Sequence, residues 1–257
     1  MTSTTTTRQP VLELRHLSLT YGSVVALEDV SLQVYPSEVI GIVGDNGAGK
    51  SSLIKTISGV LEPDKGEIWV DGEQRHWRSP REARTAGIET LYQDSGLAPD
   101  LSIGSNLFLG RERRRRGLLG RLGFVDQRSM EREALAELQR VGITIEGMGR
   151  TVAELSGGQR QAVAIARTIT WARHVIILDE PTNHLGARQS LEVLKVIRAA
   201  RDRGLSVLFI SHTLPHVLEV CDRIIVLRLG RVVRDAPTSE FTVESLLAAI
   251  TGLDDRS

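Results

Sequence analysis

Apolar and polar residues alternate from Val11 to Thr20 and again from Val24 to Val34, on either side of Tyr21-Gly22-Ser23. Period-two alternation interrupted by a turn predicts an antiparallel β unit, with Tyr21 at its turn. A different pattern follows. Val39-Ile40-Gly41-Ile42-Val43, Val175-Ile176-Ile177-Leu178 and Val207-Leu208-Phe209-Ile210 are apolar throughout, with further short runs at Arg223 to Leu227 and Arg231 to Val233. Such runs, separated by helix-length segments, predict the buried strands of a parallel sheet and hence an α/β chain. Glu62-Pro63-Asp64-Lys65-Gly66 reads as a turn, Glu67 to Gly72 as a strand and turn, and Ile88 to Tyr92 as another strand. Met130, Ala134, Leu135, Leu138 and Val141 recur at helical spacing behind Asp126 as a cap, and a further helix is expected from about Arg188 to Ala200.

Composition narrows the classes without choosing among them. The chain has 257 residues, 41% of them hydrophobic, which is enough for one large α/β domain or two modest ones. Its formal net charge is zero, so no basic excess points to nucleic acid or to an anionic membrane surface. No apolar run approaches the roughly 18 residues of a membrane span, and Thr-rich Met1 to Thr7 lacks a signal-peptide core. The single cysteine, Cys221, reads as a packing residue of a protein kept in a reducing compartment.

The first chemistry lies just after the earliest all-apolar run. Gly44-Asp45-Asn46-Gly47-Ala48-Gly49-Lys50-Ser51 fits the phosphate-binding loop G-x-x-x-x-G-K-[ST], between a strand-like and a helix-like segment. The glycines let successive backbone N–H groups curl round phosphates, and Lys50 brings a compact cation to the β and γ oxygens. Ser51 offers a hydroxyl to Mg²⁺, and a helix starting near Gly49 points its positive end at the same anion. These residues, with Ser52 after them, predict an ATP site.

Two further motifs follow in order. Leu155-Ser156-Gly157-Gly158-Gln159 precedes an amphipathic helix with Ala162, Val163, Ala166 and Ile169 on one side; 18 residues after Gln159, Ile177-Leu178-Asp179-Glu180-Pro181 ends an apolar strand in two carboxylates. With the phosphate loop, this set resembles the ABC (ATP-binding cassette) ATPases, whose signature sequence and Walker B strand these two segments match. The resemblance implies a P-loop NTPase fold: an ABC core with an N-terminal antiparallel β subdomain and an inserted helical subdomain at about residues 94–173. The whole would form one domain over 10–251, with tails at 1–9 (disordered) and 252–257. It implies that Tyr21 stacks on adenine and that Ser51, Gln93 and Asp179 hold Mg²⁺. Gln93 also reaches the attacking water, Glu180 polarises it, and His212 contacts the γ-phosphate. Ser156, Gly157, Gly158 and Gln159 would complete the site of a second subunit, so one chain holds two half-sites. His16, His76, His174, His184 and His216 read as surface or packing residues.

Within that family the finer resemblance is to the carbohydrate-importing branch that handles ribose, xylose or fructose. It rests on Tyr92-Gln93-Asp94, Leu97-Ala98-Pro99, the run from Asn106 to Glu112, the run from Gly157 to Arg167, and Ser211 to Val217. A single cassette is similar to the fructose-type subunits. This implies a homodimer on the cytoplasmic face of the membrane, a separate integral-membrane permease and an extracytoplasmic sugar-binding protein; the other class kept open is a soluble regulatory ATPase that moves no solute. Three positions depart from or stand outside the pattern. Gly186 replaces the usual D-loop carboxylate, Ser52 the commoner Thr, and the run Arg113 to Arg116 reads as a solvated loop, with lipid headgroups or the permease as its other candidate contacts.

Overall fold

The computed structural model describes residues 8–145 and 147–253; the expected tails fall largely outside the described residues. Strands β1 (Leu12–Tyr21) and β2 (Val24–Val34) pair antiparallel around the Gly22 turn, as the alternation predicts. β3 (Val39–Val43) leads through the phosphate loop into α1 (Lys50–Ile57). β4 (Lys65–Val70) and β5 (Glu73–Arg75) complete a four-stranded sheet in the order β2-β1-β4-β5. Then come α2 (Pro80–Thr85), β6 (Ile88–Leu91), α3 (Ile103–Leu107), α4 (Leu118–Arg121), α5 (Gln127–Arg140) and α6 (Gly157–Trp171). The chain closes with β7 (Val175–Asp179), α7 (Ala187–Asp202), β8 (Ser206–Ile210), α8 (Leu214–Val220), β9 (Arg223–Arg228), β10 (Arg231–Pro237) and α9 (Val243–Thr251).

The second sheet runs β10-β9-β3-β8-β7-β6, parallel throughout except for the antiparallel edge strand β10. Its all-apolar strands are covered on both sides, and the pleat sends alternate residues to different cores. Ile176 and Leu178 of β7, with Val207 and Phe209 of β8, pack among α5, α6 and α7. Val175 and Ile177, with Leu208 and Ile210, pack against α1 and the antiparallel sheet. A one-residue slip of any of these strands would exchange its two faces, so the register is held from both sides. Gly41 of β3 is required by contact: an added Cβ would lie 2.7 Å from Val217 and 3.0 Å from Cys221 Sγ. Cys221 is therefore the packing residue expected, and burial pushes its thiol pKa well up.

The segment after Asp94 is helical but not continuously so. Asp126 caps α5 by accepting a hydrogen bond from Ser129 N, and Met130, Ala134 and Leu138 turn inward. Leu135, expected on that face, is exposed, because it lies about 100° round the helix from Ala134 and the subdomain covers a single stripe. Asn106, fully buried, donates from its amide to the carbonyls of Ala98, Leu101 and Ser102 and accepts from Ala98 N. One side chain thereby holds the loop that follows Gln93. The helix α9 lacked an expectation, although Thr242 as cap, an apolar run and Gly252 behind it are the signals for one.

Candidate functional site

The phosphate loop is held by neighbours rather than by its own sequence alone. Gly49 has φ 105°, and a Cβ there would lie 2.6 Å from the Ala26 carbonyl of β2, so only glycine lets the loop close against the β unit. Ala48 accepts from Gly230 N at 3.0 Å and donates to Asp45 O at 3.1 Å. Gly49 provides no side-chain cap for α1 and no acidic residue occupies its first turn, leaving that turn's N–H groups facing an anion site. Lys50 folds back on the loop, its Nζ donating to Gly44 O at 2.6 Å and Asp45 O at 3.0 Å. Burial lowers its pKa, against the raising influence of Glu180, Asp45 and Asp179.

A cleft of about 770 Å³ gathers most of the expected site. Its walls carry Tyr21, the whole loop from Gly44 to Ser52, Gln93, Asp179, Glu180 and His212. Asp179 and Glu180 arrive on the end of β7, and His212 arrives two residues past β8, so adjacent parallel strands deliver them side by side. Gln93 stands two residues beyond the end of β6 instead of closing the strand, in a bend whose following carbonyls, Ser95 and Gly96, accept from the Arg167 guanidinium of α6. Glu180 adopts φ 51°, a conformation that L side chains rarely take, with its N–H bonded to Ile210 O at 3.0 Å. Its carboxylate is mostly covered, while His212, 2.9 Å away through Nδ1, is largely exposed. Burial raises the pKa of Asp179 first, the neighbouring Glu180 charge adds to that, and Lys50 opposes it.

Five cleft positions, Val24, Val25, Ala26, Asn183 and Ile210, have no expectation as site residues. Val24 and Val25 are exposed apolar residues at the start of β2 that line the cleft with Tyr21. The signal was present in two valines opening a strand beside the turn aromatic. Asn183 lines the cleft three residues after Glu180; nothing but its proximity to the carboxylates marked it.

Ser156, Gly158 and Gln159 do not join this cleft; they line a separate cavity of about 580 Å³ together with α7 residues such as Gln189. Gly157 lies between them, in the first turn of α6. Ser156 Oγ accepts from Gln159 N at 3.3 Å and Gln159 Oε1 accepts from Ser156 N at 3.0 Å, a reciprocal cap. Gly158 lies against Gln189, where a Cβ would approach within 2.9 Å. Gln189 in turn accepts from Gly186 N at 3.3 Å, and an added Cβ at Gly186 would meet nothing within 4 Å. His16 pairs with Asp29 at the surface and His216 packs against Thr182, neither in the cleft.

Residues 27–183 match the family described as ABC transporter. A fructose import ATP-binding protein of Rhizobium meliloti is 47% identical, over 95% of each chain. A xylose/arabinose import ATP-binding protein of Sulfolobus acidocaldarius is 40% identical, over 94% of each. A ribose import ATP-binding protein of Streptomyces coelicolor is 40% identical over 95% of this chain but 47% of its own, so the chain spans about half the length of that relative. Among solved structures, a nucleotide-free ATP-binding cassette superposes with TM-score 0.79 at 24% identity, covering 93% of this chain and 96% of the other, a likeness of fold. A dimeric ATP-binding cassette bound to ADP and Pi superposes with TM-score 0.72 at 25% identity, covering 88% and 98%.

Proposed function

The chain belongs to the ABC transporter family, and on that premise we propose that it is the ATP-hydrolysing subunit of a monosaccharide importer, working as a homodimer beneath a separate integral-membrane permease. The observation that carries the reading is the division of the motifs. One cleft holds the loop, both carboxylates, Gln93 and His212, while the signature residues open elsewhere. A cleft so built lacks a lid, and the capped N-terminus of α6 in a second copy is the anion-seeking surface that supplies one. Each chain then contributes one nucleotide cleft and one signature surface.

In this reading Tyr21, with Val24 and Val25, takes the adenine face, and the backbone of residues 44–52 takes the phosphates. Lys50 exchanges its two loop carbonyls for phosphate oxygens. The donors beside them suit Mg²⁺: the Ser51 hydroxyl, the Gln93 amide oxygen and the Asp179 carboxylate are all oxygen ligands. When bound, that ion neutralises phosphate charge. Glu180 then takes a proton from the water that attacks the γ-phosphorus. The bond to the β–γ bridging oxygen breaks, leaving ADP and phosphate, and His212 steadies the γ-phosphate as charge moves.

Sugar import follows from the relatives rather than from the cleft. Fructose, xylose/arabinose and ribose import subunits are similar to this chain over nearly its whole length. A soluble regulatory ATPase finds no support among them. In this reading the chain is attached to the cytoplasmic face through the permease; none of the described helices is long and apolar enough to cross a membrane. An extracytoplasmic sugar-binding protein completes the importer. Deletion of the gene should abolish ATP-driven uptake of one radiolabelled pentose or fructose, restored by the wild-type chain and not by Glu180→Gln. Unchanged uptake across a broad panel of monosaccharides overturns the importer reading.

A further inference from the structure

Between α3 and α5 the chain makes an excursion that the nucleotide cleft does not use. Arg115 N donates to Phe124 O at 2.9 Å and Asp126 N to Arg113 O at 2.7 Å, closing a hairpin with an isolated bridge between Arg114 and Val125. The tip is the single turn α4, where Leu122 N bonds to Leu118 O and Phe124 N to Leu119 O. Gly120 is buried against the Arg115 carbonyl, where no Cβ fits, so the tip has a defined shape.

That shape turns its apolar side chains outward. Leu118 is 72% exposed, Leu122 67% and Phe124 54%, three exposed large apolar side chains within seven residues. The same hairpin carries cations. Arg111 pairs with Glu89 and Arg113 with Glu133, but Arg114, Arg115, Arg116 and Arg121 are exposed and make no ion pair among the described residues. The local acids are engaged elsewhere: Glu112 accepts from Gly110 N and Asp126 caps α5. Leucine and phenylalanine at the tip, with free guanidinium groups at its base, match an interface whose surface is anionic and whose interior is apolar.

We propose that the hairpin of residues 113–125 is a lipid-contacting element that adsorbs to anionic membrane surface, with α4 and Phe124 entering the headgroup layer. The contact adds to attachment through a permease and does not depend on it. Nothing in it touches the nucleotide cleft, so its failure leaves the ATPase reading intact.

The full-length protein is sedimented with protein-free vesicles of phosphatidylglycerol and phosphatidylcholine, and with phosphatidylcholine alone. The expected result is salt-sensitive binding to the anionic vesicles only, reduced at least about tenfold in R114Q/R115Q/R116Q/R121Q with ATP binding unchanged. In Leu122→Trp, brominated lipid should quench fluorescence beyond the quenching seen in the wild type, reporting insertion of the tip. No binding of the wild type to anionic vesicles overturns the proposal, as does binding that the four-arginine variant retains. Binding confined to vesicles carrying the permease overturns it too, assigning the hairpin to a protein partner.

Discussion

Glu180 Oε2 lies 2.9 Å from Nδ1 of His212 and 3.4 Å from the backbone N of the same residue. The carboxylate proposed to activate water is thus already oriented by the residue proposed to read the γ-phosphate. The left-handed backbone at Glu180 is what brings the two together: it turns the chain off β7 towards the end of β8. Removing the imidazole leaves Glu180 without its side-chain partner. His212→Ala should lower kcat for ATP hydrolysis by roughly ten- to a hundredfold while KM changes by less than about threefold, as expected for a contact made mainly in the transition state. Steady-state ATPase kinetics on the assembled transporter provide the check; an unchanged kcat removes the pair from the chemistry.

Lys50 holds two loop carbonyls now and phosphate oxygens in the proposed complex. Lys50→Ala should therefore weaken MgATP binding by roughly 2–3 kcal/mol, about a hundredfold, since a charge-assisted partner of a buried phosphate is lost. Titration with a fluorescent ATP analogue measures it, and wild-type affinity in the variant removes the loop from the site.

The Asp179 carboxyl is raised by burial and by Glu180. A raised acid binds its proton more tightly folded than unfolded, so its contribution to stability is present below the ordinary aspartate range and is lost as pH rises through the raised value. Asp179→Asn, which imitates the neutral form, should then stabilise the nucleotide-free protein at pH 7 by only about 1–2 °C in Tm, because the group is partly solvated and screened. The gain should shrink as pH falls through the raised value and vanish only below the ordinary aspartate pKa of about 3.9, where the group is protonated in both states. With Mg²⁺ and ADP the order should reverse, as the variant loses a metal ligand. Thermal melts across pH, with and without MgADP, report all three outcomes.

Gly186 is the N-cap of α7 with φ −69°, a conformation open to any residue, and free space surrounds an added Cβ. Aspartate fits there and would cap the helix, adding a few tenths of a kcal/mol. It would also supply the D-loop carboxylate that the family resemblance implies at this position, so Gly186→Asp should raise the Hill coefficient for ATP hydrolysis in the assembled transporter above that of the native protein. Equal Hill coefficients with turnover preserved would show that the glycine does not set the coupling.

The elements most legible in the sequence are those whose pattern is local. β7 and β8 are apolar at every position because both pleat faces are buried, and β1 and β2 alternate because they belong to a sheet with one buried face. The loop from Gly44 to Ser51 was readable because backbone geometry demands those residue types. What the pattern could not yield depends on contacts between distant segments. Gly49 is tied to Ala26, a relationship across 23 positions that no local rule anticipates. Val24, Val25 and Asn183 enter the cleft only because the strands converge there. Leu135 obeys helical spacing yet faces solvent, since spacing does not say how wide the covered stripe is. The outward direction of Leu118, Leu122 and Phe124 comes from the hairpin, which pairs residues across the tip and leaves no local pattern.

In the proposed dimer Glu180 acts in the cleft of its own chain while Ser156 acts on the cleft of another. Glu180→Gln should bind ATP without turnover and, by size-exclusion chromatography with ATP, convert from a monomer of 28.2 kDa to a dimer that ADP does not support. Adding Ser156→Arg to that background should abolish the ATP-dependent dimer yet leave ATP binding by the monomer within about twofold of the single variant, because Ser156 lies outside the cleft of its own chain. A double variant that still dimerises with ATP, or one whose monomer loses ATP as severely as Lys50→Ala, would contradict the account.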